Sequence, residues 1–204
     1  MINSYRSLHP NHVHQLTVAV SKHYFVTKSG SLKYQMKPLE VNLDKITSAD
    51  RTHLIHYIIR DHFSGLIYYE FALSNNLTPI QSFLFNAWAF KKDYSFYGIP
   101  DLLMIPDTVE SKFAGIREKV IELGISLVKV TSGFQGGIRD IKTIENCLGL
   151  HCNQPIEGQY LVEEICRYIN KQKSRAGSIT KTSLWRDNIK SIRVPAADWL
   201  NSFA

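Results

Sequence analysis

HLIHYIIRDHFSGLIYYEFAL, residues 53–73, reads as two strands folded back on one another. Both halves are rich in β-branched and aromatic side chains, the usual occupants of a pleated, half-buried surface. His62 to Gly65 supply the tight turn between them. A hairpin this apolar needs more sheet beside it. Upstream, HPNHVHQLTVAVSKHYFV (9–26) carries four of the eight histidines and alternates like a strand, expected over 13–26, with no Asp or Glu anywhere from Met1 to Pro38. The segment between, TKSGSLKYQMKPLEVNLDKITSADR, is polar and reads as an insertion or hairpin. Three antiparallel strands therefore open the chain.

Downstream the period changes. Ile80, Phe83, Leu84, Ala87 and Trp88 recur at helical spacing over 77–92, with Thr78 as the expected N-cap and Pro79 at the first helical position. LLMIPD (102–107) is a short apolar run ending in an acid, the pattern of a buried strand whose C-terminal end opens onto a site. KFAGIREKVIEL, stopped by Gly124, predicts a helix, and ISLVKVT (125–131) a further buried strand. SGFQGG predicts a flexible loop and IRDIKTIENCL a helix, with another over 160–171. The order βββαβαβα predicts an α/β fold. Its mixed five-stranded sheet has three antiparallel strands, then parallel ones, flanked by helices.

Composition bounds the function. A chain of 204 residues, 44% hydrophobic, can bury a core of its own. The expected division is a core over 1–150 and a helical basic extension over 151–204. Cys147, Cys152 and Cys166 are odd in number and lack C-x-x-C spacing, against a disulfide framework or thiolate zinc site and for a reducing, cytoplasmic location. No apolar run approaches the roughly 20 residues of a membrane span. From Arg167 to Arg193 eight basic residues face one acid, Asp187, while the whole chain is +6. Lys171, Lys173, Arg175, Lys181 and Arg186 are the candidate DNA contacts, since such a cluster can neutralise phosphates. A solvated basic face is the competing reading.

These segments, in this order, resemble the catalytic core of DDE transposases and retroviral-type integrases, which has the RNase H-like fold. VHQLTVAV resembles the family's first-strand pattern W/H-Q-x-D-x-T/S, and YIIRDHFSGLIYYE its second and third strands. MIPDTVESKF resembles the segment with the second acid, and DIKTIENCLG the helix with the third. YINKQKSRAGSITKTSLW resembles the basic segment that follows the core in bacterial members. The resemblance implies DNA integration or transposition by two-metal phosphodiester strand transfer, with three carboxylates holding Mg²⁺ or Mn²⁺. It implies DNA and further copies of the chain as partners, and no membrane.

Carried over residue by residue, Asp107 matches the second acid and Glu145, 38 positions on, the third; both would be catalytic and metal-binding. Thr17 occupies the first acid's position, and Val109 stands where the family prefers Gly. A neutral hydroxyl in place of a shared anion is expected to impair metal binding and strand transfer, and Thr17→Asp to improve metal binding. Asp44, Asp61 and Asp140 are the alternative acids, with Asp61 expected to be structural. With Met1 directly before the core, the upstream helical DNA-binding domains of family members are not expected. The alternative to an impaired strand transferase is a non-catalytic DNA-binding or self-associating remnant.

Overall fold

The computed structural model describes residues 6–47, 51–92, 94–113, 115–131, 133–151, 155–175 and 177–199, and over 149–162 the backbone alone; Cys152 lies outside the described residues. β1 (Val13–Val20), β4 (His53–Asp61), β5 (Ile67–Ser74), β6 (Leu102–Pro106) and β7 (Ser126–Val130) form one sheet in the order β5-β4-β1-β6-β7. β1 pairs antiparallel with β4 (Thr17 opposite Ile58) and β4 antiparallel with β5, whereas β1–β6 and β6–β7 are parallel. The expected strand 13–26 ends at Val20. Tyr24–Val26 (β2) instead pairs with Leu32–Tyr34 (β3) as a separate two-stranded hairpin, with Gly30 at φ +83 in its turn.

The strand alternation that identified the sheet divides its side chains between two cores. Leu16, Val18 and Val20 of β1, with Ile55, Tyr57 and Ile59 of β4, face α1 (Ile80–Trp88), α2 (Asp107–Lys112) and α3 (Ile116–Glu122). Leu54 and Ile58 of β4, with Ile67 and Tyr69 of β5, face α4 (Gln135–His151) and α5 (Pro155–Lys171). Phe83 is fully buried in the first core; truncating it to Ala would cost about 3–5 kcal/mol. Trp185 of α6 (Lys181–Asn188) and Trp199 join that core, Trp199 against Trp88 with ring centroids 5.9 Å apart.

Three local expectations give way to backbone chemistry. Thr78 makes no side-chain cap; Pro79 is the N-cap of α1. KFAGIREKVIEL is not one helix: α2 ends at Lys112 with Phe113 as its C-cap, and α3 starts afresh from Gly115, its N-cap at φ +89. The helix expected from Ile138 begins at Gln135 and takes in Gly136 and Gly137, read as loop in the sequence. No described helix is long and apolar enough to cross a membrane.

Candidate functional site

β1 and β6 run parallel, with Gln15 opposite Met104. Thr17 lies two residues beyond Gln15 and Asp107 three beyond Met104, at the same end of neighbouring strands. Asp107 opens α2 and is half-buried. Thr17 is buried, and its hydroxyl has no hydrogen-bond partner among the described residues. The reason is the helix above it. A Cβ on Gly137 would fall 2.7 Å from the Thr17 Cβ and closer still to its Oγ1, so α4 rests on β1 with no space for a side chain between them.

The structure does not bring Glu145 to this pair. Eight residues past Gly137, or about 12 Å along the helix at 1.5 Å per residue, Glu145 is buried on the β4 side of β1, away from β6. Its carboxylate accepts from Ser21 Oγ and lies 2.9 Å from His56 Nε2, whose Nδ1 meets Tyr69 Oη. Burial pushes the Glu145 carboxyl up, but His56, Ser21 and His23 outweigh it and hold it below the ordinary carboxylate range.

Nor do the other acids assemble there. Asp61 is a buried turn acceptor, taking hydrogen bonds from Asn11 N (2.9 Å), Ser64 N (2.7 Å) and Ser64 Oγ (2.5 Å). Burial raises its pKa against the pull of those donors. Asp140 accepts from Arg60 Nη1 at 2.5 Å, and Asp44 is exposed on a 3₁₀ turn. Among the described residues no three His, Cys, Asp or Glu side chains are grouped to hold a metal. A magnesium ion shared between strands needs anionic oxygens. Here one carboxylate, Asp107, stands at the end of the strand next to an orphaned hydroxyl that a helix contact covers, so the residues present do not fit the two-metal set. His14 is likewise no ligand: it packs on Phe96 at 5.0 Å and accepts from Trp88 Nε1, and burial lowers its pKa to about 3.

Beside Thr17, on the same face, the molecule concentrates positive charge. A cavity of about 590 Å³ is lined by Gln15, Arg60, His62, Lys173, Arg175 and Lys181, together with Phe63, Phe134 and the first turn of α4. A second of about 280 Å³ adjoins it through Arg60, Gly136, Arg175 and Lys181 and adds Arg139 and Asp140. Of the expected DNA contacts, Lys173, Arg175 and Lys181 therefore converge, while Lys171 and Arg186 are exposed elsewhere on α5 and α6, Arg186 beside Asp187. Arg60 joins the converging cations without a sequence expectation behind it; its available signal was a cation that, with Asp61, ends the apolar run HLIHYII.

Antiparallel β5-β4-β1 followed by parallel β6-β7, with helices on both faces, is the RNase H-like fold of retroviral integrase catalytic cores. The chain superposes on a chain of the simian T-cell lymphotropic virus intasome in complex with PP2A regulatory subunit B56 gamma with a TM-score of 0.61. That match has 15% identity over 94% of this chain, which spans 61% of the other. It also matches the HTLV-2 integrase catalytic core domain in complex with magnesium (TM-score 0.55, 16% identity, 88% of this chain and 98% of that one). The BIV integrase catalytic core domain matches with a TM-score of 0.51 at 12% identity, over 87% of this chain and 95% of the other. No protein-family model and no curated protein matches the chain.

Proposed function

We propose that this chain is a metal-independent nucleic-acid-binding protein on an integrase-core fold, in which strand-transfer chemistry has been lost. The observation that supports the reading is the Thr17–Gly137 contact, in which the backbone of α4 packs directly on the hydroxyl at the position that the resemblance gives to the first acid. The retained function rests on the cations of the C-terminal segment, Lys171, Lys173, Arg175, Lys181 and Arg186, joined by Arg60. Charge neutralisation of phosphates needs no divalent ion and little sequence information.

The test measures duplex DNA binding in EDTA as a function of salt, and DNA cleavage and joining with Mg²⁺ or Mn²⁺. Four phosphate contacts give a slope of log K against log salt of about −3.6. Neutralising Lys171, Lys173 and Arg175 together flattens it by up to about 2.7. No metal-dependent strand transfer is expected. Joining activity that Asp107→Asn abolishes would return the chain to the strand transferases. The HTLV-2 core occurs in dimeric and trimeric forms, and self-association of this chain, read by sedimentation, is part of the same proposal.

A further inference from the structure

The larger cavity is built rather than merely basic. Its floor is Gln15 and Arg60, neighbours across the β1–β4 ladder. Arg60 is held on two sides by glycines: a Cβ at Gly65 would fall 2.9 Å from its Nη2, and one at Gly136 would fall 3.4 Å from its Nε. Opposite, the segment after α5 is tied down by several hydrogen bonds. Asn170 bonds both Ile67 N (2.9 Å) and Ile67 O (2.8 Å), Lys173 bridges Thr180, and Lys181 N donates to Gln172 O at 2.9 Å. This framework delivers Lys181 beside Gly65, next to the Arg60 guanidinium.

Lys181 is the informative residue. It is 8% exposed, and among the described residues no carboxylate lies within ion-pair distance of it. Burial lowers its pKa most, Arg60 lowers it further, and Arg175 adds to them against the upward pull of Asp140. Burial, Arg60 and Arg175 also lower that of His62. A buried ammonium crowded by guanidinium groups is costly unless an anion completes the site. The first turn of α4 adds backbone amides without intrahelical partners at the cavity wall, and the helix dipole favours negative charge there. Phe63 and Phe134 give the same cavity two aromatic rings, and its volume suits a small ligand.

We propose that this cavity binds one nucleoside phosphate, its phosphoryl group on Lys181, Arg60, Arg175 and the start of α4, its base against the phenylalanines. It rests on the nucleic-acid reading above and adds its preferred form, an unpaired strand, because a base within a duplex cannot stack on a cavity wall. The nucleoside phosphate can belong to such a strand or be a free nucleotide.

Fluorescence titration of the full chain in EDTA separates these sources, using a thymidine oligonucleotide single strand, the same length of duplex, thymidine monophosphate and thymidine. The single strand is expected to bind more tightly than duplex and to be displaced by thymidine monophosphate but not by thymidine. Lys181→Met and Arg175→Gln should each weaken single-strand binding about tenfold or more and reduce the salt slope by about 0.7. Phe63→Ala should weaken it about fivefold or more. Arg175 is exposed, so its variant tests the site even where Lys181→Met does not fold. Monophosphate binding as tight as the strand's assigns the cavity to free nucleotides. Wild-type single-strand affinity in both charge variants, with duplex binding intact, overturns the cavity and leaves the DNA-binding reading standing. No binding of any nucleic acid overturns both.

Discussion

Replacing Thr17 by Asp separates a damaged metal site from a site that packing has closed. Thr and Asp have similar volumes, so the substitution chiefly exchanges an orphaned hydroxyl for a carboxylate beneath the Gly137 backbone. Buried without a partner, that carboxylate costs about 2–4 kcal/mol, whether as lost stability or as a raised pKa. Thr17→Val removes the unsatisfied oxygen and should be neutral or stabilising by about 1 kcal/mol. The assay is urea unfolding of both variants and wild type, each in EDTA and in excess Mg²⁺. An ion bound at one hundred times its dissociation constant adds about 2.7 kcal/mol to the folded state. Thr17→Asp is expected to be the least stable of the three and insensitive to Mg²⁺, the reverse of what the sequence alone suggests. A magnesium-dependent gain of 2 kcal/mol or more in that variant (on the scale just given) would show that α4 lifts from β1, and the closed-site reasoning would fail.

Other side chains give further tests. His14 stays neutral when folded to about pH 3, whereas the unfolded chain protonates it near 6.5. The unfolded state therefore binds more protons between those values, and stability falls as pH drops through that window, by at most about 4–5 kcal/mol. Denaturation midpoints at pH 7 and pH 4 should show the loss, and His14→Gln should shrink it. Glu145, held below the usual range, adds stability above the unfolded carboxyl pKa that is lost as pH falls through the folded one. Glu145→Ala strands His56 and Ser21 and should cost about 2–4 kcal/mol with DNA affinity unchanged. Undiminished stability with altered metal-dependent chemistry would reinstate it as a catalytic acid. Gly65→Ala, at φ +75 and against Arg60, should lose about 1–2 kcal/mol in urea; an unchanged midpoint would mean that Arg60 is not gripped there.

The sheet was legible because its evidence is local: alternation marks β1, β4 and β5, and a short apolar run ending in acid marks β6. Positions 17 and 107 lie toward the same end of neighbouring strands because parallel strands present their C-terminal ends together. Helix spacing puts Asp140 and Glu145 on flanks of one apolar stripe, but it does not say which end of a sheet each acid reaches. Only the crossing of α4 over β1 does, and that crossing is set by two glycines whose low helix propensity disguised them as a loop. Lys181 was hidden for a related reason. Charge predicts exposure, and its burial depends on the turn that Asn170 and Gln172 tie to its neighbours.

The first core is finished by Trp185 and Trp199, and Ile99 N bonds Arg193 O, 94 positions further along the chain. Closing such long loops delays folding, because entropy must be lost before the contacts that reward it can form. A chain stopped after residue 150 would lack both indoles and leave Trp88 without its partner ring. Exposed apolar surface of that kind drives aggregation. The C-terminal end is thus expected to complete the fold last: folding should show a late phase in tryptophan fluorescence, and truncation should yield insoluble chain rather than a smaller folded core.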